Sequence, residues 1–212
     1  MLFSLLSTLI FLLHQSSVPR SFVALPKPPL AVKEMSLLNR QPNSWVNEVF
    51  RDNILLTLKY LQGHAQNVPI DWNEVSKSNH FELSLSPGAT FAFHDDVLPS
   101  YQESVTQTTN AHFNTQEGFK SDGYLVGDGV CHLASLLNWV ARAANLKVEA
   151  PTAHDFAVIP EIPKEFGVAI YDYPGHHAAN ATQNLYITNP FNKPVAFVFD
   201  YSAEKIKVSI KS

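Results

Sequence analysis

A single cysteine, Cys131, stands in the stretch Gly127-Asp128-Gly129-Val130-Cys131-His132, where two glycines precede a run of helical periodicity. A thiol in the first turn of a helix sits among free backbone N–H groups at the positive end of the dipole. That setting stabilises a thiolate and should bring the pKa below the value of about 8.5 for a free cysteine. Such a nucleophile needs a base, and a histidine arriving from a strand or loop after the helix is the usual solution. His154 is in the right region, and Asp155 or Asp172 is available to fix its tautomer. Cys131, His154 and Asp155 are therefore the expected catalytic group, with Gly127, Asp128, Gly129 and His132 as its substrate-binding frame. Amides at the helix head would act as the oxyanion hole.

The facing of the helix bears on this. Leu133, Leu136, Leu137, Val140 and Ala144 form an apolar stripe, whereas Cys131, Ser135, Asn138 and Arg142 recur on the other side. The thiol is thus expected off the main core face. The competing reading makes it a small buried residue covered by the long polar segment from His94 to Gly129. His94, Asp95, Asp96, His112, Cys131 and His154 are also metal-ligand types, but neither an HExxH nor a paired CxxC spacing occurs. No metal and no other cofactor is expected.

These residues need a scaffold, and 212 residues with 45% apolar content suffice for one well-packed core. The net charge of -4 and the lack of any Lys/Arg cluster leave no footprint for nucleic acid. The apolar run Leu2 to Leu13 is shorter than a membrane span of roughly 20 residues. Residues 1–24 are read as a signal peptide or membrane anchor, which predicts export and confines any membrane contact to that segment. The alternative is a buried N-terminal helix. Residues 25–42, rich in proline, read as a linker, residues 43–86 as a helical and strand extension, and residues 87–212 as the main domain.

Within these bounds the spacing predicts a helix capped by Asn43 or Ser44 and running through Leu61, then strands Phe81–Leu85 and Ala89–Phe93 around the turn Ser86-Pro87-Gly88. The cysteine-headed helix covers Val130 to Leu146. Strand candidates follow at Lys147–Ala150, Val168–Asp172, Leu185–Thr188 and Val195–Tyr201, the last turning through Ser202-Ala203-Glu204 into the tail. Helices first and strands last imply an α+β fold, with a mainly antiparallel sheet packed on an N-terminal helix and a central cysteine-headed helix.

Several of these segments, taken in order, resemble the VanW-like domain, a bacterial envelope family first noted beside vancomycin-resistance genes. They are Pro87-Gly88-Ala89-Thr90-Phe91-Ala92-Phe93, Glu117-Gly118-Phe119-Lys120, Gly127-Asp128-Gly129-Val130-Cys131 with the helix ending in Ala143-Ala144-Asn145-Leu146, His154, and Ile187-Thr188-Asn189 before Lys193-Pro194-Val195. Glutamine is common in the family where this chain has His132, and the family's HPHS is here Thr152-Ala153-His154-Asp155. The resemblance implies a cell-envelope location and a role in peptidoglycan metabolism or binding, with peptidoglycan or a cell-wall peptide as partner. Two functions fit: a cysteine-dependent acyl-transferase or amidase using Cys131 and His154, or a non-catalytic envelope module in which the glycine-framed helix head binds a ligand.

Overall fold

The computed structural model describes residues 27–63 and 69–212, so the expected leader or anchor over 1–24 lies outside the described residues. Two four-stranded sheets and two long helices make the α+β architecture that the order of elements implied. The first sheet combines β1 (Ala31–Ser36) and β2 (Asn79–Leu85) with β7 (Val195–Tyr201) and β8 (Lys205–Lys211). Its order is β1-β8-β7-β2, with every pair antiparallel. The second joins β3 (Thr90–Ala92), β4 (Val105–Gln107), β5 (Lys147–Glu149) and β6 (Tyr186–Thr188) in the order β4-β3-β6-β5, and only β3 and β4 run parallel.

Burial explains the first sheet. Val195, Phe197, Val198, Phe199 and Tyr201 of β7 are buried, so this strand occupies the centre with a partner on each edge. Phe81 stands opposite Phe199 and stacks on it at 4.6 Å between ring centroids, the kind of cross-strand pair that pins register. The expected hairpin between β7 and β8 forms, closed by the Ser202 N–H to the Lys205 carbonyl at 2.9 Å.

Helix α1 (Ser44–Leu61) begins as predicted, with the Asn43 side chain accepting from the amides of Trp45 and Val46. Helix α3 (Val130–Ala143) is the core of the molecule and packs against α1, β1, β5 and β8. Leu133, Leu136 and Val140 on it have no exposed surface. Two short helices, α2 (Trp72–Val75) and α4 (His177–Thr182), complete the set. Among the described residues, no helix is long and apolar enough to cross a membrane.

Two expectations are corrected. The segment read as a linker contributes β1, which pairs with β8 from Ala31 to Ser36; proline content concealed an edge strand. The two strands expected around Ser86-Pro87-Gly88 are present, and the turn carries the chain between sheets, β2 pairing with β7 and β3 with β6. Val168–Asp172 is extended without entering either sheet, making a single bridge from Val168 to Ala153. Because β2 lies beside β7, the sequence boundary at 86/87 falls inside a continuous fold.

Candidate functional site

The head of α3 is shaped by close backbone approach. Gly127 and Gly129 have φ of 81° and 98°, in the left-handed region that disfavours side chains. A Cβ on Gly129 would lie 2.6 Å from the Phe50 carbonyl oxygen of α1, and one on Gly127 would lie 2.8 Å from the Phe113 Cβ. The glycines therefore let α1 and the 113–129 loop reach the helix head. Fully buried Asn53 sews the loop down: its amide donates to the carbonyls of Lys120 (3.0 Å) and Asp128 (2.9 Å), and its oxygen accepts from the Lys120 N–H. Gly129→Ala should lower stability by about 2–4 kcal/mol through backbone strain and overpacking. Gly123→Ala, at φ 104° with open space around it, should show only the strain. Equal losses in urea unfolding of the two variants would refute the Phe50 contact.

Cys131 makes different contacts from those expected. Its Sγ donates to the Ile170 carbonyl at 3.5 Å and accepts from the Ile170 N–H at 3.3 Å. One turn on, the Ser135 hydroxyl accepts from the Val168 N–H (2.9 Å) and donates to the Cys131 carbonyl (2.7 Å). The Asn138 amide then donates to the Phe166 carbonyl at 3.0 Å. The polar stripe of α3 is thus a ladder that docks the extended segment 166–170, with side chains where a neighbouring strand would offer backbone. Ser135 and Asn138 are buried accordingly. At the ends of the stripe Cys131 is half-buried and Arg142 exposed.

Desolvation by the docked segment reverses the expected titration, although the Cys131 residue keeps some exposed surface. Removal from water raises the Cys131 pKa to about 11, and the Ile170 N–H offsets only part of this. The helix-head amides give limited help, since the N–H groups of Val130 and His132 donate to the carbonyls of Gly127 (3.2 Å) and Gly129 (2.9 Å).

His154 and Cys131 line the same cleft, but no hydrogen bond joins them: the Sγ bonds of Cys131 go to Ile170, and His154 Nδ1 meets the Ala157 carbonyl at 3.2 Å. That carbonyl takes the orienting role expected of Asp155, which is exposed and makes no hydrogen bond to the ring. Asp172 is likewise engaged elsewhere, by the Asn180 amide at 3.0 Å. Burial lowers the His154 pKa. His132, expected at the helix edge, is only 4% exposed. It packs edge-to-face against Phe50 at 5.2 Å and His154 at 6.1 Å, and its Nδ1 is buried without a partner. Burial first, then the charge of Arg40, lowers its pKa to about 3, so the ring is neutral.

The cleft has a volume of about 500 Å³. Its floor includes Gly127, Asp128, Gly129, Cys131, His132 and His154, so the predicted frame does converge on one place. Burial raises the Asp128 carboxyl to about 6, and its side chain accepts from the Asp122 N–H at 3.1 Å. The sequence reading missed the rim. Tyr124 and Phe156 are 92% and 74% exposed, and Tyr171 and Tyr173 stack on each other with 6.1 Å between centroids. The aromatic spacing Tyr171-x-Tyr173, followed by Pro174-Gly175, was the available signal. Asp172, between these tyrosines, also lines the cleft and stands within ligand distance of His94 and Asp95.

The profile of the family described as VanW like protein matches residues 73–211, starting in α2 and covering every later element. No curated protein and no solved structure matches the chain.

Proposed function

As the chain belongs to the VanW-like family, we propose that it is an exported envelope module that binds peptidoglycan or a cell-wall peptide in the cleft at the head of α3, without using the thiol as a nucleophile. The observation that carries this reading is the rim of exposed aromatics around the cleft: Tyr124, Phe156, Tyr171 and Tyr173. Flat aromatic faces offer large contact area at small entropic cost and suit the apolar faces of sugar rings and peptide side chains. The half-buried thiol, hydrogen-bonded to Ile170, stays protonated and His132 stays neutral at neutral pH, which supports binding over nucleophilic attack by the cysteine. The apolar segment Leu2 to Leu13 supports delivery to the envelope.

Co-sedimentation with purified peptidoglycan and calorimetry with soluble muropeptides test the proposal. Tyr124→Ala and Phe156→Ala should each weaken binding at least about 10-fold, as removal of aromatic anchors does. Lack of binding by the unaltered protein, or variants that both bind as tightly as it does, would sink the proposal. Release of peptide or amide products that stops in Cys131→Ala would replace it with the cysteine-enzyme reading.

A further inference from the structure

Asp172 belongs to two groups at once. Besides lining the cleft, it brings a carboxylate oxygen to a cluster in which one ring nitrogen of His94 and one oxygen each of Asp95 and Asp172 lie within 4.8 Å of one another. One acid at this cluster is left unbalanced. Asp172 Oδ2 is shut off from solvent with no hydrogen-bond partner, an expensive state for an oxygen that carries charge when ionised. Among the described residues, no lysine or arginine pairs with Asp95, Asp96 or Asp172; the ion-pair partners there are His112, 3.4 Å from Asp95, and His177, 2.6 Å from Asp96.

The surroundings hold these groups in place. His94 is fully buried, and its Nε2 faces the Gln183 carbonyl at 3.1 Å, which can only accept. The proton therefore sits on Nε2 and the lone pair on Nδ1, whose contact is a long 3.4 Å one to the Asn184 amide. A ring nitrogen anchored on a backbone carbonyl, leaving the other free, is how metal-ligating histidines are commonly held. The Asn180 amide reaches both Asp172 Oδ1 (3.0 Å) and Asp96 Oδ2 (2.6 Å), fixing the carboxylates from behind.

We propose that His94, Asp95 and Asp172 form a binding site for a divalent first-row transition cation of the zinc class at the border of the cleft. An imidazole with two carboxylates favours such an ion over magnesium or calcium, which prefer oxygen alone. His112 is near enough to Asp95 to supply a fourth donor. A cation here neutralises the orphaned oxygen of Asp172 at the border of the cleft. The proposal does not depend on what the cleft binds.

Titration of the full-length protein with Zn²⁺ by calorimetry should give one-to-one binding, with Mg²⁺ at least 10-fold weaker. Asp172→Asn and Asp95→Asn should each weaken Zn²⁺ binding at least 10-fold, while Asp200→Asn, in a surface pair with His80, leaves it unchanged. Asp95 is exposed, so its variant reports on the site without disturbing the core. Absence of Zn²⁺ binding, or binding that survives both site variants, would overturn the proposal. The Co²⁺ form should lack a sulfur-to-metal charge-transfer band; its presence would place Cys131 on the ion and overturn the ligand set.

Discussion

Iodoacetamide should modify native Cys131 at pH 7.5 roughly 300-fold more slowly than a free cysteine, because raising a thiol pKa from about 8.5 to about 11 reduces the thiolate fraction by that factor. The sign follows from burial: the charged thiolate is the form that loses hydration, so the neutral thiol is favoured. Urea should restore the free-cysteine rate by opening the contacts to Ile170. His154→Ala should leave the native rate unchanged, since its ring makes no hydrogen bond to the sulfur. A fast native reaction with an apparent pKa below about 8.5, lost in His154→Ala, would instead restore the activated dyad. Cys131→Ser should retain the ladder to segment 166–170, and Cys131→Ala should lose its first rung.

Acid should destabilise the protein through His132, and His132→Gln should remove most of that sensitivity. In the unfolded chain this histidine titrates at about 6.5, whereas in the fold it resists protonation until about pH 3. Between these values the unfolded state binds the extra proton, so stability falls as pH falls. The neutral ring's contribution is fully present above about pH 6.5; linkage puts the loss at about 3 kcal/mol by pH 4 and up to about 5 kcal/mol lower down. This rivals the total stability of many domains. Asp128 and Asp172 act in the opposite direction, since burial raises each to about 6 and makes the fold take up protons in the window where His132 refuses them. Comparing the unaltered protein with His132→Gln at pH 7.5 and pH 4 isolates the histidine. A stability difference between the two that is the same at both pH values would show that His132 does not remain neutral in the fold.

Both predictions turn on a limit in what residue order can reveal. The periodicity of Val49, Ile54 and Leu58 identified α1, and that of Leu133, Leu136 and Val140 identified α3, because apolar stripes record burial directly. The β7–β8 hairpin was legible for the same reason. The convergence of Gly127, Gly129, Cys131 and His154 on one cleft was also anticipated. What covers a polar stripe was hidden. Cys131, Ser135 and Asn138 read as a face turned away from the main core, but their partners are the backbone groups of Ile170, Val168 and Phe166, which carry no side-chain signature. Once that segment is in place desolvation dominates, and the thiol shifts upward even though it heads a helix. Buried asparagines were equally silent: Asn53 within the predicted first helix, and Asn180, Asn184 and Asn189 later in the chain, give no sign in sequence that they fasten loops in the fold.

The pairing of β1 with β8 and of β2 with β7 sets a constraint on the order of events during synthesis. Neither early strand has a neighbour in its sheet until residues after Val195 have emerged, so the central sheet closes through contacts of long sequence separation, which fold slowly. Until then β1 and β2 stay unpaired, although α1, α3 and the strands of the second sheet, all before residue 189, have already been made. For a chain proposed to leave the cytoplasm, that delay keeps it threadable through a translocon, while the exposed strands ahead of closure call for a holding chaperone.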